Sequence, residues 1–368
     1  MRRVIFSLSF FMILLLPALY VFFVEPKTFS ESENRMLAQV PQIGMDEVLE
    51  GRFQEGISDF LSDQIPLRER LIKLNTAIRK VTGNREINGV YVGNDHYYFC
   101  RFTDADYSLA RAVSIFQMIE AFADHQSVPV TVMPVPSPGT VLSDKLPGDA
   151  PYYDAQFVYE EARQQLSCPV IDLRGVFAAC GTDAQLYYRT DHHWTTKGAY
   201  LAYQEYCKSM EMIPGEYDLT AVSDSFYGTV YSRLLDAAAI PDSVEAPMTL
   251  PELTVIIDDN KVQNSLFVEE CLEKKDKYAF FLGGNWGKVK IQTSVENQKK
   301  LLVIKESFAN CFVPFLVGDY EEIVMVDLRY YDESVEKLIR ESGSTEILVL
   351  YELSNLLTDK GILKLAES

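Results

Sequence analysis

Short, continuous apolar runs separated by amphipathic stretches dominate the chain beyond residue 100. Val128 to Val135, Cys168 to Leu173, Tyr278 to Leu282, Leu301 to Ile304, Ile323 to Leu328 and Glu346 to Tyr351 are of strand length and rich in Val and Ile. That is the pattern of strands buried on both faces. Between them Leu109 to Phe122 carries a helical stripe, and residues 153–166, 196–210, 308–317 and 332–342 read as further helices. The alternation predicts an α/β fold, a mostly parallel sheet with helices on both faces. Ligands of such sheets bind at the carboxyl ends of the strands. Ser137, Ser307, Arg329 and Asn355 each closely follow a predicted strand and are candidates for one crevice.

The amino-terminal part is organised differently. Arg2 and Arg3 precede an uncharged apolar run from Val4 to Val24, about the ~20 residues that span a bilayer as a helix. Bulky residues over Leu19 to Phe23 argue against cleavage. The expectation is a single-pass anchor over residues 1–24, with the basic end cytoplasmic and the rest of the chain extracytoplasmic. A removed signal peptide is the alternative and leaves the compartment unchanged. Residues 25–85 read as a polar stalk, Glu25 to Pro41, followed by two amphipathic helices carrying Val48, Phe53, Ile57 and Phe60, then Leu67, Leu71, Leu74 and Ile78. Gly83-Asn84 breaks the pattern, Val90 to Val92 opens a strand and turn, and residues 86–368 make up the remaining domain. Residues 211–275 are either an insertion over the crevice or loops and edge strands.

A net charge of −19 excludes nucleic acid and electrostatic capture of polyanions as partners, since both need clustered Lys and Arg. A neutral substrate fits, or one held locally by a few arginines. The six cysteines show no metal-type spacing and sit among apolar neighbours, which predicts buried free thiols, with a Cys168–Cys180 bridge as the alternative.

Candidate chemistry lies in Thr190-Asp191-His192-His193-Trp194-Thr195, which holds two of the four histidines beside an acid. Asp191 and His193 straddle one residue, so in an extended segment both side chains point one way and His192 faces away. An acid there fixes the tautomer of the imidazole and leaves its other nitrogen for a hydroxyl. Trp194 would wall the site off from water, and Thr195 would cap the next helix. The bland alternative makes Asp191 and His192 turn residues and His193 a core histidine; a zinc site lacks further ligands at a supporting spacing. The hydroxyl belongs to Ser307, where the strand Leu301 to Ile304 turns into a helix, a geometry that exposes a nucleophile and aims backbone N–H groups at an oxyanion. A serine there is also a good helix N-cap. Ser225, in Asp224-Ser225-Phe226, lacks a preceding strand, and Ser137 is stiffened by Pro136 and Pro138.

These residues resemble the DHHW family of bacterial exported proteins, related to the SGNH-like acetyltransferase domains of the alginate O-acetylation proteins AlgX and AlgJ. Phe29 to Arg35, Asp63 to Arg68, Phe226-Tyr227-Gly228-Thr229 and Val326 to Tyr331 are similar to family segments as well. The resemblance implies an SGNH-hydrolase-like, flavodoxin-like sheet in residues 86–368 and a triad of Asp191, His193 and Ser307. Glu306 departs from the Asp expected before the serine. Asn285 and Asn310 are candidates for oxyanion or substrate contacts; Arg329 either grips an acidic sugar or makes a surface salt bridge. The implied activity is O-acetyl transfer to a cell-envelope polysaccharide, without metal or organic cofactor, with a membrane-embedded acyltransferase partner as acetyl source. An esterase using water as acceptor and a non-catalytic glycan-binding protein are the rival readings.

Overall fold

The computed structural model describes residues 5–7, 10–12, 20–21, 23–181 and 184–367. The anchor expected over residues 1–24, and the extracytoplasmic placement drawn from it, do not hold in the structure. No helix among the described residues is long and apolar enough to cross a membrane. Residues 1–4, 8–9, 13–19 and 22 of that stretch lie outside the described residues.

The chain divides into two units, the first comprising Met1–Asn88 with Tyr231–Ala239, the second Gly89–Val230 with Ile240–Ser368. In the first, the expected stalk is instead a small hairpin, Phe29–Ser30 paired with Arg35–Met36. Its anchor is ionic. Arg35 forks onto Asp63 at 2.9 and 2.5 Å and reaches Glu33 at 3.0 Å, and Arg68 donates to Glu33 at 2.8 and 3.0 Å. Asp63 ends the helix Arg52–Gln64, and Arg68 begins the helix Arg68–Val81. Two of the stretches that resemble family segments, around Arg35 and around Asp63 to Arg68, are thus halves of one charged cluster. The hydrogen bond from Arg35 holds the Asp63 carboxyl below its ordinary range. Thr76 Oγ1 donates to Leu234 O at 2.6 Å, fixing the second helix to the Tyr231–Ala239 segment.

The second unit is built on a seven-stranded sheet: β1 (Val130–Val135), β2 (Leu253–Ile257), β3 (Lys261–Gln263), β4 (Lys288–Thr293), β5 (Lys300–Lys305), β6 (Glu322–Val326) and β7 (Glu346–Glu352), in the order β3-β2-β4-β6-β5-β7-β1. The pairings among β6, β5, β7 and β1 are parallel, while β4 pairs antiparallel with both β6 and β2, and β3 with β2. Five strands therefore point one way and two, β3 and β4, the other. The sheet is mixed, with a parallel half and an antiparallel edge. That edge includes segments with alternating polar and apolar residues, such as Lys288-Val289-Lys290-Ile291, and part of it falls in 211–275, which supplies edge strands.

Alternate residues of each central strand enter opposite cores, as a period of two requires. Leu301, Val303, Met325 and Leu348 pack with Trp194, Phe308 and Phe312 on one face. Leu302, Ile304, Val324 and Val349 pack with Ile115, Phe116 and Tyr159 on the other. Helices α1 (Leu109–His125), α2 (Ala155–Gln165), α3 (Thr196–Ser209), α4 (Phe308–Phe312) and α5 (Val335–Ser342) fall on the expected helical stretches, and α6 (Leu353–Thr358) is a helix that none of those stretches covers. The helix expected over 308–317 is split, continuing beyond α4 as a tighter 3-10 turn, Val313–Gly318, at Pro314. Two expected strands are absent. Tyr278 to Leu282 begins instead within a 3-10 turn, Lys277–Phe280, capped by Asp276, and Cys168 to Leu173 contributes a single bridge, Val170 to Val132. Cys168, Cys180, Cys207, Cys271 and Cys311 are free thiols, so the alternative Cys168–Cys180 bridge is not formed.

Candidate active site

The loop before α3 folds back on itself. Tyr188 N donates to His193 O at 3.2 Å and Thr195 N to Leu186 O at 2.8 Å, leaving residues 189–192 at the tip. Buried Asp242 ties that tip down by accepting from Arg189 N at 3.0 Å, Thr190 N at 2.9 Å and Thr190 Oγ1 at 2.6 Å. Burial raises the Asp242 carboxyl above its ordinary range, against those donors. Thr195 caps α3 by accepting from Gly198 N at 3.3 Å.

Within the tip, Asp191 turns its carboxylate onto the backbone two residues on, an Asx turn. Asp191 Oδ1 accepts from His193 N at 3.0 Å and lies 2.5 Å from His193 Nδ1. His193 Nε2 lies 2.7 Å from Ser307 Oγ. Asp191, His193 and Ser307 thus form one hydrogen-bonded line, all three buried. Ser307 stands where β5 ends and α4 begins, at the carboxyl end of the parallel half of the sheet.

The second oxygen of Asp191 is held from a distant segment. Thr229 N and Thr229 Oγ1 donate to Asp191 Oδ2 at 2.7 and 2.9 Å, and Gly228 N donates to Thr190 Oγ1 at 3.1 Å. A Cβ on Gly228 would lie 2.3 Å from Asp191, so this position requires glycine for close approach. Gly228→Ala is expected to push Asp191 off its line and reduce acyl transfer by roughly 10²-fold. Turnover of an activated acetyl ester, with circular dichroism to confirm folding, checks this; full activity would show that the approach is irrelevant. Burial alone would raise the Asp191 carboxyl, but the neighbouring His192 and His193 imidazoles and these hydrogen bonds hold it well below the usual carboxylate range.

His193 is clamped between rings. Tyr278 stacks on it with centroids 3.8 Å apart and planes 10° from parallel, and His192 lies at 3.9 Å on a tilted plane. Contrary to expectation His192 does not face away: its Nδ1 lies 2.9 Å from Thr229 Oγ1. Burial and the neighbouring His193 lower the His192 pKa. Tyr278 OH donates to Ser307 O at 3.1 Å, joining imidazole and serine backbone through one side chain.

Ser307 Oγ has a second partner, Glu306 Oε2, at 2.9 Å. The other Glu306 oxygen accepts from Phe308 N and Glu352 N, both at 3.2 Å, and Asn355 Nδ2 reaches Oε2 at 3.4 Å. Burial raises the Glu306 carboxyl above its usual range, with Arg329 and these donors opposing. Glu352 in turn is bonded to Ser137, whose Oγ also lies 2.7 Å from Tyr153 OH. Ser137, Ser307 and Asn355 therefore share one buried network around two carboxyls.

Asn310, buried on α4, accepts from Lys305 Nζ at 2.9 Å and donates to Gly284 O at 3.3 Å and Asn285 Oδ1 at 3.1 Å. It holds in place a loop in which Leu282, Gly283 and Gly284 all have positive φ, of 66°, 76° and 121°, so glycine eases two of three left-handed residues. Asn285 is exposed at the end of that loop. Burial pushes Lys305 down to about 8, against the pull of Asp327. Arg329 spends its guanidinium on Asp327, at 2.8 and 2.6 Å, which is the salt-bridge alternative. Trp194 is fully buried, and its Nε1 donates to Phe308 O at 3.1 Å; it braces α4. Ser225 lies in the hairpin strand Leu219–Phe226, as a solvent-facing residue.

Asp191, His192 and His193 also place potential metal-donor atoms within 4.8 Å of one another, the one such group among the described residues. Asp191 Oδ1, His193 Nδ1, His193 Nε2 and His192 Nδ1 are engaged in the contacts above, so a cation would have to displace the line to Ser307.

Residues 171–326 match the family model described as DHHW protein. No curated protein sequence matches the chain. A crystal structure of a DHHW family protein from Eubacterium siraeum is similar with a TM-score of 0.66 at 24% identity, covering 77% of this chain and 96% of that one. Bacillus cereus PatB1 with a sulfonyl adduct gives 0.61 at 22% identity, covering 73% and 96%. The O-acetyltransferase domain of Pseudomonas putida AlgJ gives 0.47 at 13% identity, covering 76% and 99%. The first two likenesses are likenesses of fold.

Proposed function

With residues 171–326 carrying the DHHW-family match, we propose that this protein is an O-acyltransferase that moves acetyl groups onto polysaccharide hydroxyls through Asp191, His193 and Ser307. The observation that carries the reading is the position of His193, 2.5 Å from Asp191 through one nitrogen and 2.7 Å from Ser307 through the other. An imidazole so held accepts the Ser307 proton as Oγ bonds to the donor's carbonyl carbon. The tetrahedral oxyanion is met by the Ser307 N–H and the Asn285 amide. Collapse breaks the bond to the leaving group, which takes the proton from His193, and leaves an acetyl ester on Ser307. A sugar hydroxyl then gives its proton to His193, attacks that ester, and releases Ser307 as its proton returns. Asp191 orients the ring and balances the imidazolium without itself taking the proton. Acetyl groups would reach Ser307 from a partner acyltransferase.

The esterase reading uses the same groups with water as acceptor. One experiment tests both. The full chain is incubated with p-nitrophenyl acetate, alone and with oligosaccharide acceptors, and followed by intact-mass and product analysis. The proposal expects one acetyl on Ser307 that passes to sugar faster than to water. Acetate as the sole product at every acceptor concentration would favour the esterase, and a folded protein that never acquires acetyl would favour non-catalytic glycan binding.

A further inference from the structure

We propose that the cavity floored by Tyr152 and Tyr153 is a subsite for a sugar chain whose rings carry hydroxyl or amino groups and no carboxylate. The proposal rests on the acyltransferase reading of Ser307 and specifies its acceptor. The cavity has a volume of about 1090 Å³ and lies between the segment around Gly139 to Gln156 and the segment Asp172 to Gly175. That is at the upper end of small-ligand sites and leaves room for more than one sugar ring.

Three observations point to this ligand. The first is the aromatic floor. The Tyr152 ring lies against Gly139, where a Cβ would come within 2.5 Å of it, so glycine lets the ring sit flush beneath the cavity. A phenol with an apolar body and a polar tip suits a sugar, which presents C–H and O–H groups together.

The second is charge. Asp144, Asp149, Asp154 and Asp172 line the cavity with one cation, Arg174; beyond the lining Lys145 pairs with Asp144 at 3.4 Å and Arg163 with Asp172 at 2.5 Å, so the acids that set the sign of the rim are Asp149 and Asp154. Arg174 is already spent: it donates to Asp172 Oδ1 at 3.0 Å and Oδ2 at 2.7 Å and to Gln156 Oε1 at 2.7 Å, with its guanidinium 4.0 Å over the Tyr159 ring. In a chain of net charge −19 this rim repels a uronate chain and tolerates or attracts hydroxyl and ammonium groups. Arg329, the other candidate grip for an acidic sugar, is neutralised by Asp327.

The third is polar valence and connection. Thr140 Oγ1, beside the Tyr153 hydroxyl, is buried without a hydrogen bond of acceptable geometry in the protein, a cost that a ligand hydroxyl removes. From the floor, hydrogen bonds run from Tyr153 OH to Ser137, from Ser137 to Glu352, from Glu352 N to Glu306, and from Ser307 to Glu306. Asp191, His193 and Ser307 do not line the cavity. A ring bound there is remote from the acylated hydroxyl, and its binding energy is available to hold the reacting part of the chain.

The test is calorimetric titration of the full chain with cellohexaose, a glucosamine hexamer and a galacturonate hexamer. Wild type, Tyr152→Ala and Asp149→Asn are each also assayed for Ser307 acetylation by p-nitrophenyl acetate. The expected result is binding of cellohexaose or the glucosamine hexamer, weakened about tenfold or more by Tyr152→Ala, no matching affinity for galacturonate, and unchanged Ser307 acetylation. Should Tyr152→Ala fail to fold, exposed Asp149 still decides: Asp149→Asn weakens the glucosamine hexamer and spares cellohexaose. Tighter binding of galacturonate, no binding of any hexamer, or indifference of binding to these variants overturns the proposal. Binding lost in Tyr152→Ala while wild-type Ser307 never takes an acetyl keeps the subsite and sinks the acyltransferase reading instead.

Discussion

Ser307→Ala is expected to abolish acetylation of the protein by an activated ester and to lower acyl transfer by about 10⁴-fold or more. His193→Ala should fall to a similar level, because the hydroxyl is a poor nucleophile until an adjacent base takes its proton, and among the described residues the imidazole nitrogen at Ser307 Oγ is His193 Nε2 at 2.7 Å. The double variant should lose no more than either single one, since the two groups act as a unit. Intact-protein mass and release of p-nitrophenolate measure all three. The informative failure would be a label that persists in Ser307→Ala and maps elsewhere. Ser137 offers little for that: its Oγ is engaged by Glu352 and Tyr153, with no imidazole bonded to it among the described residues. Ser225 is exposed in a hairpin strand, where it bonds to Ser223.

The parts of this arrangement differ in how plainly the sequence displays them. β1, β5, β6 and β7 are buried on both faces, so each is a continuous apolar run and stands out from its surroundings. β4 lies on the antiparallel side, where Lys288, Lys290 and Gln292 alternate with apolar residues, and a search for continuous runs passes over it. Tyr278 to Leu282 is apolar for another reason: Tyr278 is needed against His193, and Asp276 caps a 3-10 turn that carries it there. Pro169, without an N–H, limits Cys168 to Leu173 to one bridge.

The same distinction runs through the site. Asp191 and His193 are two residues apart, so their contact is local and their spacing suggests it. Thr229 and Gly228 support Asp191 from 38 residues away, and no local pattern shows that a small residue beside a threonine will meet a carboxylate. Glu306 reads as a departure beside the serine, yet its carboxyl joins Ser307, Phe308 and Glu352. The strand order brings β5 beside β7 and so brings Glu306 to Glu352, and that order is not written in either strand alone. Asn310 and Arg329 are in the right neighbourhood for candidate binding residues, but Lys305 and Asp327 engage them first.

Asp191→Asn is expected to reduce kcat by about 10³ to 10⁴-fold with little change in KM, although the replacement is nearly isosteric. Every contact of the carboxylate is with a donor: His193 N and Nδ1 at one oxygen, Thr229 N and Oγ1 at the other. An amide accepts at one end only. If its NH2 faces Thr229, two donors meet a donor; if it faces His193, the ring must present Nδ1 as an acceptor and carry its proton on Nε2, where it can no longer receive one from Ser307. Acetylation of Ser307, followed by mass, should slow by the same factor as turnover, and a variant that acetylates at the wild-type rate would remove Asp191 from the mechanism. The folded carboxyl of Asp191 is held well below its unfolded value, about 3.9. Its stabilisation is therefore complete above that unfolded value and lost as pH falls toward the folded one. Wild type should lose stability on acidification over a window that starts near pH 4, and Asp191→Asn, having no proton to bind there, should show a smaller loss across the same range.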